Sequence, residues 1–114
     1  MKGLPKTFRE FVDLHPEIWK AHDKLTQACA DAGPLDRKTR ELIKVGMSLG
    51  AGLETATMRH AIMARENGAE PAEIYQTVLM AMTTCGHPTA MAGWQWVQTA
   101  LQKSSKTTRS RRKK

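Results

Sequence analysis

The stretch from residue 36 to residue 68 most constrains the fold, because it reads as two helices joined by a tight reversal. Asp36 is a suitable N-cap for the first helix, and Gly50 and Gly52 permit the turn between the two. The first helix is apolar over an unusually broad surface, made up of Leu42, Ile43, Val45, Gly46 and Leu49. A helix with so much apolar surface belongs at the centre of a fold. We therefore predict that this helical pair is the core element.

The rest of the chain shows the same helical pattern. Apolar residues recur at spacings of three and four rather than two, and strand-favouring residues are sparse. Helix starts are indicated at Thr7, Pro16, Pro71 and Pro88. The pattern predicts an all-α fold of about six helices.

Two faces outside the central pair also carry apolar residues. On the second helix, one face combines Ile18, His22, Leu25 and Cys29, and we expect it to be buried. The last helix has two apolar faces, one of them with Trp94 and the other with Trp96. Two such faces on a terminal helix indicate a subunit interface in addition to a core.

The basic character of the protein lies at its C-terminus. The formal net charge is +7, and residues 103–114 hold seven basic residues and no acidic one, so residues 1–102 are formally neutral. This segment has no apolar residue whose burial could offset the entropy of ordering it. We predict one domain over residues 1–102 and a disordered tail over 103–114, which either keeps the protein soluble or binds polyanions non-specifically.

Cysteine usage and hydropathy exclude several classes of protein. Cys29 and Cys85 lie far apart without any Cys-x-x-Cys, which argues against a disulfide scaffold and against a zinc site. The N-terminus has no apolar run typical of a signal peptide, and no stretch approaches the length of a membrane span. We expect a cytoplasmic protein with reduced thiols.

Several motifs together resemble a known superfamily. They are Asp36-Arg-Lys-Thr-Arg-Glu41-Leu-Ile, Gly50-Ala-Gly, His60, Glu66-Asn-Gly68-Ala and Pro71-Ala-Glu-Ile74. Over residues 33–101 this pattern is similar to that of the carboxymuconolactone decarboxylase and alkylhydroperoxidase D superfamily. The peroxidase branch of that superfamily has a cysteine pair at the positions occupied here by Leu53 and Ala56. The usual dithiol route to peroxide reduction is therefore excluded.

The resemblance implies a fold, an assembly and candidate catalytic residues. It implies a small helical subunit that forms a homotrimer or homohexamer, with Glu41 as relay carboxylate and His60 as general acid or base. The decarboxylase branch also matches Cys85-Gly86-His87-Pro88. Its chemistry, loss of CO2 from a small organic acid, requires a proton donor and a dry pocket, but no metal or organic cofactor.

Other interpretations of these residues remain open at this level. A histidine on an apolar stripe is often a core residue, and a carboxylate in a Lys/Arg-rich helix is often a solvated ion-pair partner, as Glu41 could be with Arg37. Cys85 is either a small buried side chain or a lone peroxidatic thiol. The protein could also be a non-catalytic oligomeric scaffold. The hypotheses differ in whether Glu41 and His60 meet.

Overall fold

A computed structural model describes the backbone of residues 5–112 and the side chains of residues 5–104. Within these residues the chain forms six helices and no strand, which confirms the all-α prediction. The helices are α1 (Lys6–Leu14), α2 (Pro16–Asp31), α3 (Arg37–Gly50), α4 (Glu54–Glu66), α5 (Pro71–Thr84) and α6 (His87–Arg112).

The chain divides into two compact units. The first unit is Met1–Leu35 and the second is Asp36–Lys114. In the first unit, α1 packs on α2 through the rings of Phe8 and Trp19, whose centroids lie 5.0 Å apart in an edge-to-face arrangement. Trp19 in turn stacks on His22, with centroids 5.6 Å apart. Aromatic contacts therefore hold this helical pair together.

Two expectations about the first unit are wrong. Neither α1 nor α2 contains a buried residue, and on the expected buried face of α2 the side chains of Ile18 and Leu25 are 54% and 62% exposed. The reason is geometric. The helix α1 has only nine residues and is too short to cover the apolar face of α2, which has sixteen residues. In addition, α1 begins at Lys6 with Pro5 as its N-cap, so Thr7 does not cap it.

The second unit is built on the α3–α4 hairpin predicted from the sequence. The carboxylate of Asp36 accepts a 2.8 Å hydrogen bond from the backbone N–H of Thr39, as expected for an N-cap. At the other end of α3, Gly52 has a φ of 73°, and the Leu53 N–H donates to the Ser48 carbonyl at 2.9 Å. This is a Schellman ending, which requires the left-handed conformation that glycine adopts most easily. It reverses the chain within three residues and brings α4 back along α3.

The core lies among the four helices α3 to α6. Its side chains are mostly small or β-branched: Val45, Leu49, Ala61, Ala64, Ala69, Ile74, Val78, Ala81, Ala90, Val97 and Ala100. Small side chains let helix axes approach closely, which increases dispersion contacts per unit length. The rings of Tyr75 and Trp94, with centroids 4.6 Å apart, join α5 to α6 at the edge of this core.

The α5 helix is tied to α3 by charge at its first turn. Pro71 occupies the first position, and Glu70 and Glu73 form a capping box. The Glu73 carboxylate also accepts a 3.1 Å hydrogen bond from the Lys38 ammonium of α3. Hydrogen bonding and the Lys38 charge hold the pKa of Glu73 below its usual value. These contacts align the starts of α3 and α5.

The last helix is longer than the sequence led us to expect. We predicted disorder from residue 103, whereas α6 continues to Arg112; residues 113 and 114 lie outside the described part of the chain. Extending an existing helix adds one hydrogen bond per residue without a new nucleation step, and Lys and Arg are good helix formers. Helix propagation from the packed stem can therefore order a segment that has no apolar surface to bury.

No helix in the described part of the chain has both the length and the hydropathy needed to cross a bilayer.

Two helical glycines provide a matched test of the packing. At Gly93 in α6 an added Cβ would overlap the side chain of Leu49, which is fully buried and cannot move aside. We expect Gly93→Ala to lower the free energy of unfolding by about 1–3 kcal/mol through overpacking. At Gly46 in α3 the same Cβ would meet Thr77 Cγ2 at an ordinary 3.6 Å. Gly46→Ala should therefore stabilise the protein by about 0.5–1 kcal/mol through its helix propensity alone.

Urea unfolding followed by circular dichroism measures both changes. Equal effects of Gly93→Ala and Gly46→Ala would contradict the close approach of α6 to Leu49.

Candidate active site: the Glu41–His60 pair

The α3–α4 hairpin brings Glu41 and His60 together. Glu41 lies in the second turn of α3, and His60 lies in the middle of α4. Because the two helices run in opposite directions from a short turn, residues at similar distances from that turn face each other. The His60 Nδ1 and the Glu41 Oε2 are 2.8 Å apart. The side chains that the sequence analysis paired therefore do meet.

Glu41 and His60 differ in how far their side chains are buried. The Glu41 side chain is only 4% exposed, whereas that of His60 is 22% exposed. Arg37, one turn earlier on α3, approaches the second carboxylate oxygen, with its Nε 3.5 Å from Oε1. Both oxygens of Glu41 thus have a partner within the protein. Glu41 is an enclosed ion-pair partner rather than the solvated one that its Lys/Arg-rich surroundings suggested.

Glu41 is ionised in this environment. Burial by itself would raise the pKa of its carboxyl group, but the hydrogen bond from His60 and the charges of His60, Lys44 and Arg37 more than offset this, so the pKa lies below its ordinary value. An ionised carboxylate only accepts hydrogen bonds. His60 must therefore carry a proton on Nδ1, and this N–H donates a hydrogen bond to Glu41.

This arrangement determines what His60 can do. With Nδ1–H held by the carboxylate, the opposite ring nitrogen, Nε2, is the one that exchanges a proton with a ligand or solvent. The contact with the carboxylate fixes the orientation of the ring. The pair has the geometry of a general acid or base with its positioning partner.

The surface next to His60 contains no thiol. Ala56 lies one turn before His60 on the same side of α4, and Leu53 caps the start of that helix. Ala56 is half-buried, and the Leu53 side chain is 53% exposed. Leu53 and Ala56, which stand where the peroxidase branch has its cysteines, are therefore apolar residues on the side of α4 that carries His60.

Cys85 does not join this pair. It is the C-cap of α5, it is exposed, and its Sγ lies against Gly50 at the far end of α3. Gly50 is nine residues beyond Glu41, which corresponds to about 13 Å along the helix axis. The interpretation of Cys85 as a buried side chain is wrong, and its thiol is too distant for His60 to deprotonate.

A separate cleft lies between α4 and α6. It has a volume of about 280 Å³ and is lined by Glu54, Met58, Gln95, Trp96, Thr99 and Lys103. Met58 and His60 differ by two residues, so they point to nearly opposite sides of α4. The cleft is therefore distinct from the Glu41–His60 pair. Among residues whose side chains are described, no three His, Cys, Asp or Glu side chains are grouped closely enough to hold a metal ion.

Comparison with known families agrees with this geometry. The model of the carboxymuconolactone decarboxylase family matches residues 16–99, about three quarters of the chain. The chain belongs to the carboxymuconolactone decarboxylase family. The family match begins at residue 16, whereas the sequence motifs begin at residue 33. It therefore includes α2, in which we predicted no site residue. No curated protein sequence shows significant similarity to the chain.

In this member of the carboxymuconolactone decarboxylase family, two cationic side chains, Arg37 and Lys44, act on the Glu41 carboxylate. From the sequence, Arg37 was a possible ion-pair partner of Glu41 in a solvated setting. In the structure Arg37 contacts the carboxylate, and the Lys44 charge acts on it. The i,i+4 spacing of Arg37 and Glu41 is the sequence signal for the first contact.

The lowered pKa of Glu41 predicts a specific pH dependence of stability. A carboxyl group whose pKa is lower in the folded state contributes stability above its unfolded value, here 4.5, and loses it as pH falls through the folded pKa. We expect Glu41→Gln to lower the free energy of unfolding at pH 7 by about 1–3 kcal/mol. The variant should also lose less stability than the wild type between pH 5 and pH 3.

Urea unfolding across this pH range tests the expectation, with Glu66→Gln as the control because Glu66 is exposed at the end of α4. If Glu41→Gln and the wild type lose equal stability on acidification, folding does not lower the pKa of the Glu41 carboxyl group.

Proposed function

We propose that this protein is a cofactor-free enzyme that carries out proton-transfer chemistry on a small organic acid, in the manner of a carboxymuconolactone decarboxylase. His60 is the general acid or base, and Glu41 is the residue that positions it. The observation that carries the proposal is the 2.8 Å contact between His60 Nδ1 and a carboxylate that is itself almost fully enclosed.

The reaction that suits this site is decarboxylation of an acid whose carboxylate lies next to an electron-accepting double bond. The C–C bond to the carboxylate breaks, CO2 leaves, and the electron pair moves into the conjugated system. His60 then donates its Nε2 proton to the resulting carbanion and is reprotonated from water. Glu41 lowers the free energy of the imidazolium before that transfer, because the negative charge lies at hydrogen-bond distance.

The peroxidase alternative has less support in this geometry. A single peroxidatic thiol at Cys85 would have to be deprotonated without the Glu41–His60 pair, since its sulfur lies at the opposite end of α3. We therefore favour proton chemistry over redox chemistry.

We also propose that the protein is a homo-oligomer, a trimer or a hexamer. Large apolar side chains remain exposed on the second unit, with Met47 at 68%, Met80 at 61% and Leu79 at 48%. Exposed apolar side chains on several helices support burial against further copies of the chain.

Substitution of His60 tests the catalytic proposal. With carboxymuconolactone as substrate, we expect His60→Gln to lower kcat/KM by about 10²–10⁴-fold, because the amide cannot transfer the proton. Glu41→Gln should lower kcat as well, because the imidazole loses the carboxylate that holds its orientation. CO2 release at several pH values measures both effects.

His87→Gln provides the matched control, because His87 is exposed at the start of α6. Light scattering should give the same multiple of the 12.7 kDa chain mass for all variants. Activity retained in His60→Gln would remove this residue from the mechanism, and a monomeric wild type would contradict the proposed assembly.

A second candidate function is polyanion binding by the C-terminal segment. All of the net positive charge lies in residues 103–114, which contain no acidic residue. This segment also has no apolar side chain that could enter a bilayer, so the charge pattern favours nucleic acid over a membrane. In this role the protein would be an oligomeric scaffold that presents several basic segments.

The salt dependence of binding tests this function. We expect a 20-base-pair duplex to bind with a slope of log K against log salt of about −3 to −6, because each phosphate contact contributes about −0.9. Replacing the seven Lys and Arg residues of the segment by Gln should abolish binding in a fluorescence anisotropy assay. Binding that survives this replacement would locate the polyanion surface elsewhere.

A further inference from the structure

Arg37 has hydrogen-bonding capacity beyond its contact with Glu41. The contact is made through Nε, on the inner edge of the guanidinium group. A guanidinium group has five N–H donors in a planar fork, and one carboxylate oxygen cannot use them all. The Arg37 side chain is also 54% exposed, so the fork is open to solvent.

Arg37 and His60 flank the same carboxylate. Arg37 approaches Oε1 of Glu41 and His60 approaches Oε2. The guanidinium group and the imidazole ring are therefore neighbours, separated only by the two oxygens of one carboxyl group. A ligand that spans the width of the Glu41 carboxyl group could therefore contact both side chains.

The local charge favours an anion at this position. The charges of Arg37 and Glu41 balance each other, and the positive charge of Lys44 also acts on Glu41. Lys38, on the same helix, has a separate partner in Glu73 at 3.1 Å. The charges of Arg37, Glu41 and Lys44 together therefore sum to one positive charge.

Taken together, these contacts point to a ligand and an orientation. We propose that Arg37 is the anchor of an anion site beside the Glu41–His60 pair, and that it binds a carboxylate of the ligand through two N–H groups. This rests on the proposed function and deepens it, because it assigns the recognition of the acid to a particular side chain. Carboxylate and guanidinium match as a planar bidentate pair. The ligand is then a small mono- or dicarboxylate with its reacting carbon next to His60 Nε2.

A binding experiment tests this site without requiring turnover. Benzoate is titrated into the protein labelled with 15N and 13C histidine, at constant ionic strength set with sodium chloride. Comparison with His60→Gln assigns the His60 signals. We expect a saturable shift of the His60 imidazole resonances in the wild type, and at least a tenfold weaker dissociation constant in Arg37→Gln.

Two further variants distinguish specific binding of benzoate by Arg37 from a general effect of positive charge. Arg65→Gln makes the same charge change on α4, but Arg65 donates to the Ala69 carbonyl rather than to Glu41, so its dissociation constant should stay within about twofold. Arg37→Lys keeps the charge and loses the fork, so its affinity should lie between those of the wild type and Arg37→Gln. An unsaturable shift in the wild type, or equal weakening by Arg37→Gln and Arg65→Gln, would overturn the anion site.

Turnover distinguishes this inference from the function on which it rests. Arg37-dependent benzoate binding without any decarboxylase activity would overturn the proposed reaction and leave the anion site in place. Conversely, His60-dependent turnover with an unchanged KM in Arg37→Gln would overturn the anion site alone. If both hold, Arg37→Gln should raise KM more than it lowers kcat.

Discussion

The buried carboxylate of Glu41 is the constraint on which the candidate site depends. An isolated ionised carboxylate enclosed in protein would cost several kcal/mol, so it requires partners on both oxygens. Here one oxygen faces His60 and the other faces Arg37. The same contacts that make the charge tolerable also align the imidazole. Stability and the placement of a proton-transfer group are therefore coupled in one interaction.

The enclosure of Glu41 depends on the hairpin formed by α3 and α4. The glycine-dependent turn after α3 sends α4 back along it, and the small residues on the core side of α4 let the two helices approach closely. Leu49 in α3, covered by α6 at Gly93, holds the far end of the hairpin in the core. The polar pair thus lies at one end of a hairpin whose remainder is packed with apolar side chains. A rigid frame of this kind preserves a short contact better than a loop would.

Family membership and geometry address different questions. The match over residues 16–99 establishes the family, and the structure shows that Glu41 and His60 meet. Function depends on the chemistry around the pair, where Leu53 and Ala56 replace thiols and Arg37 adds a positive charge. The apolar residues Leu53 and Ala56 are the basis for proposing acid–base chemistry over peroxide reduction, and Arg37 is the basis for proposing an anionic ligand.

The sequence by itself determined the helical class and the α3–α4 hairpin, because periodicity, Asp36 as N-cap and the glycines at the turn are local signals, whereas it left open whether Glu41 and His60 meet. It could not predict that the apolar face of α2 is exposed, or that Cys85 lies at the opposite end of α3 from His60. Burial and distance between helices depend on which elements pack together, and a pattern within one helix contains no information about its partner. Only the tertiary structure decided that Glu41 is enclosed and that His60 reaches the carboxylate that Arg37 also contacts, since both follow from the way that α4 packs against α3.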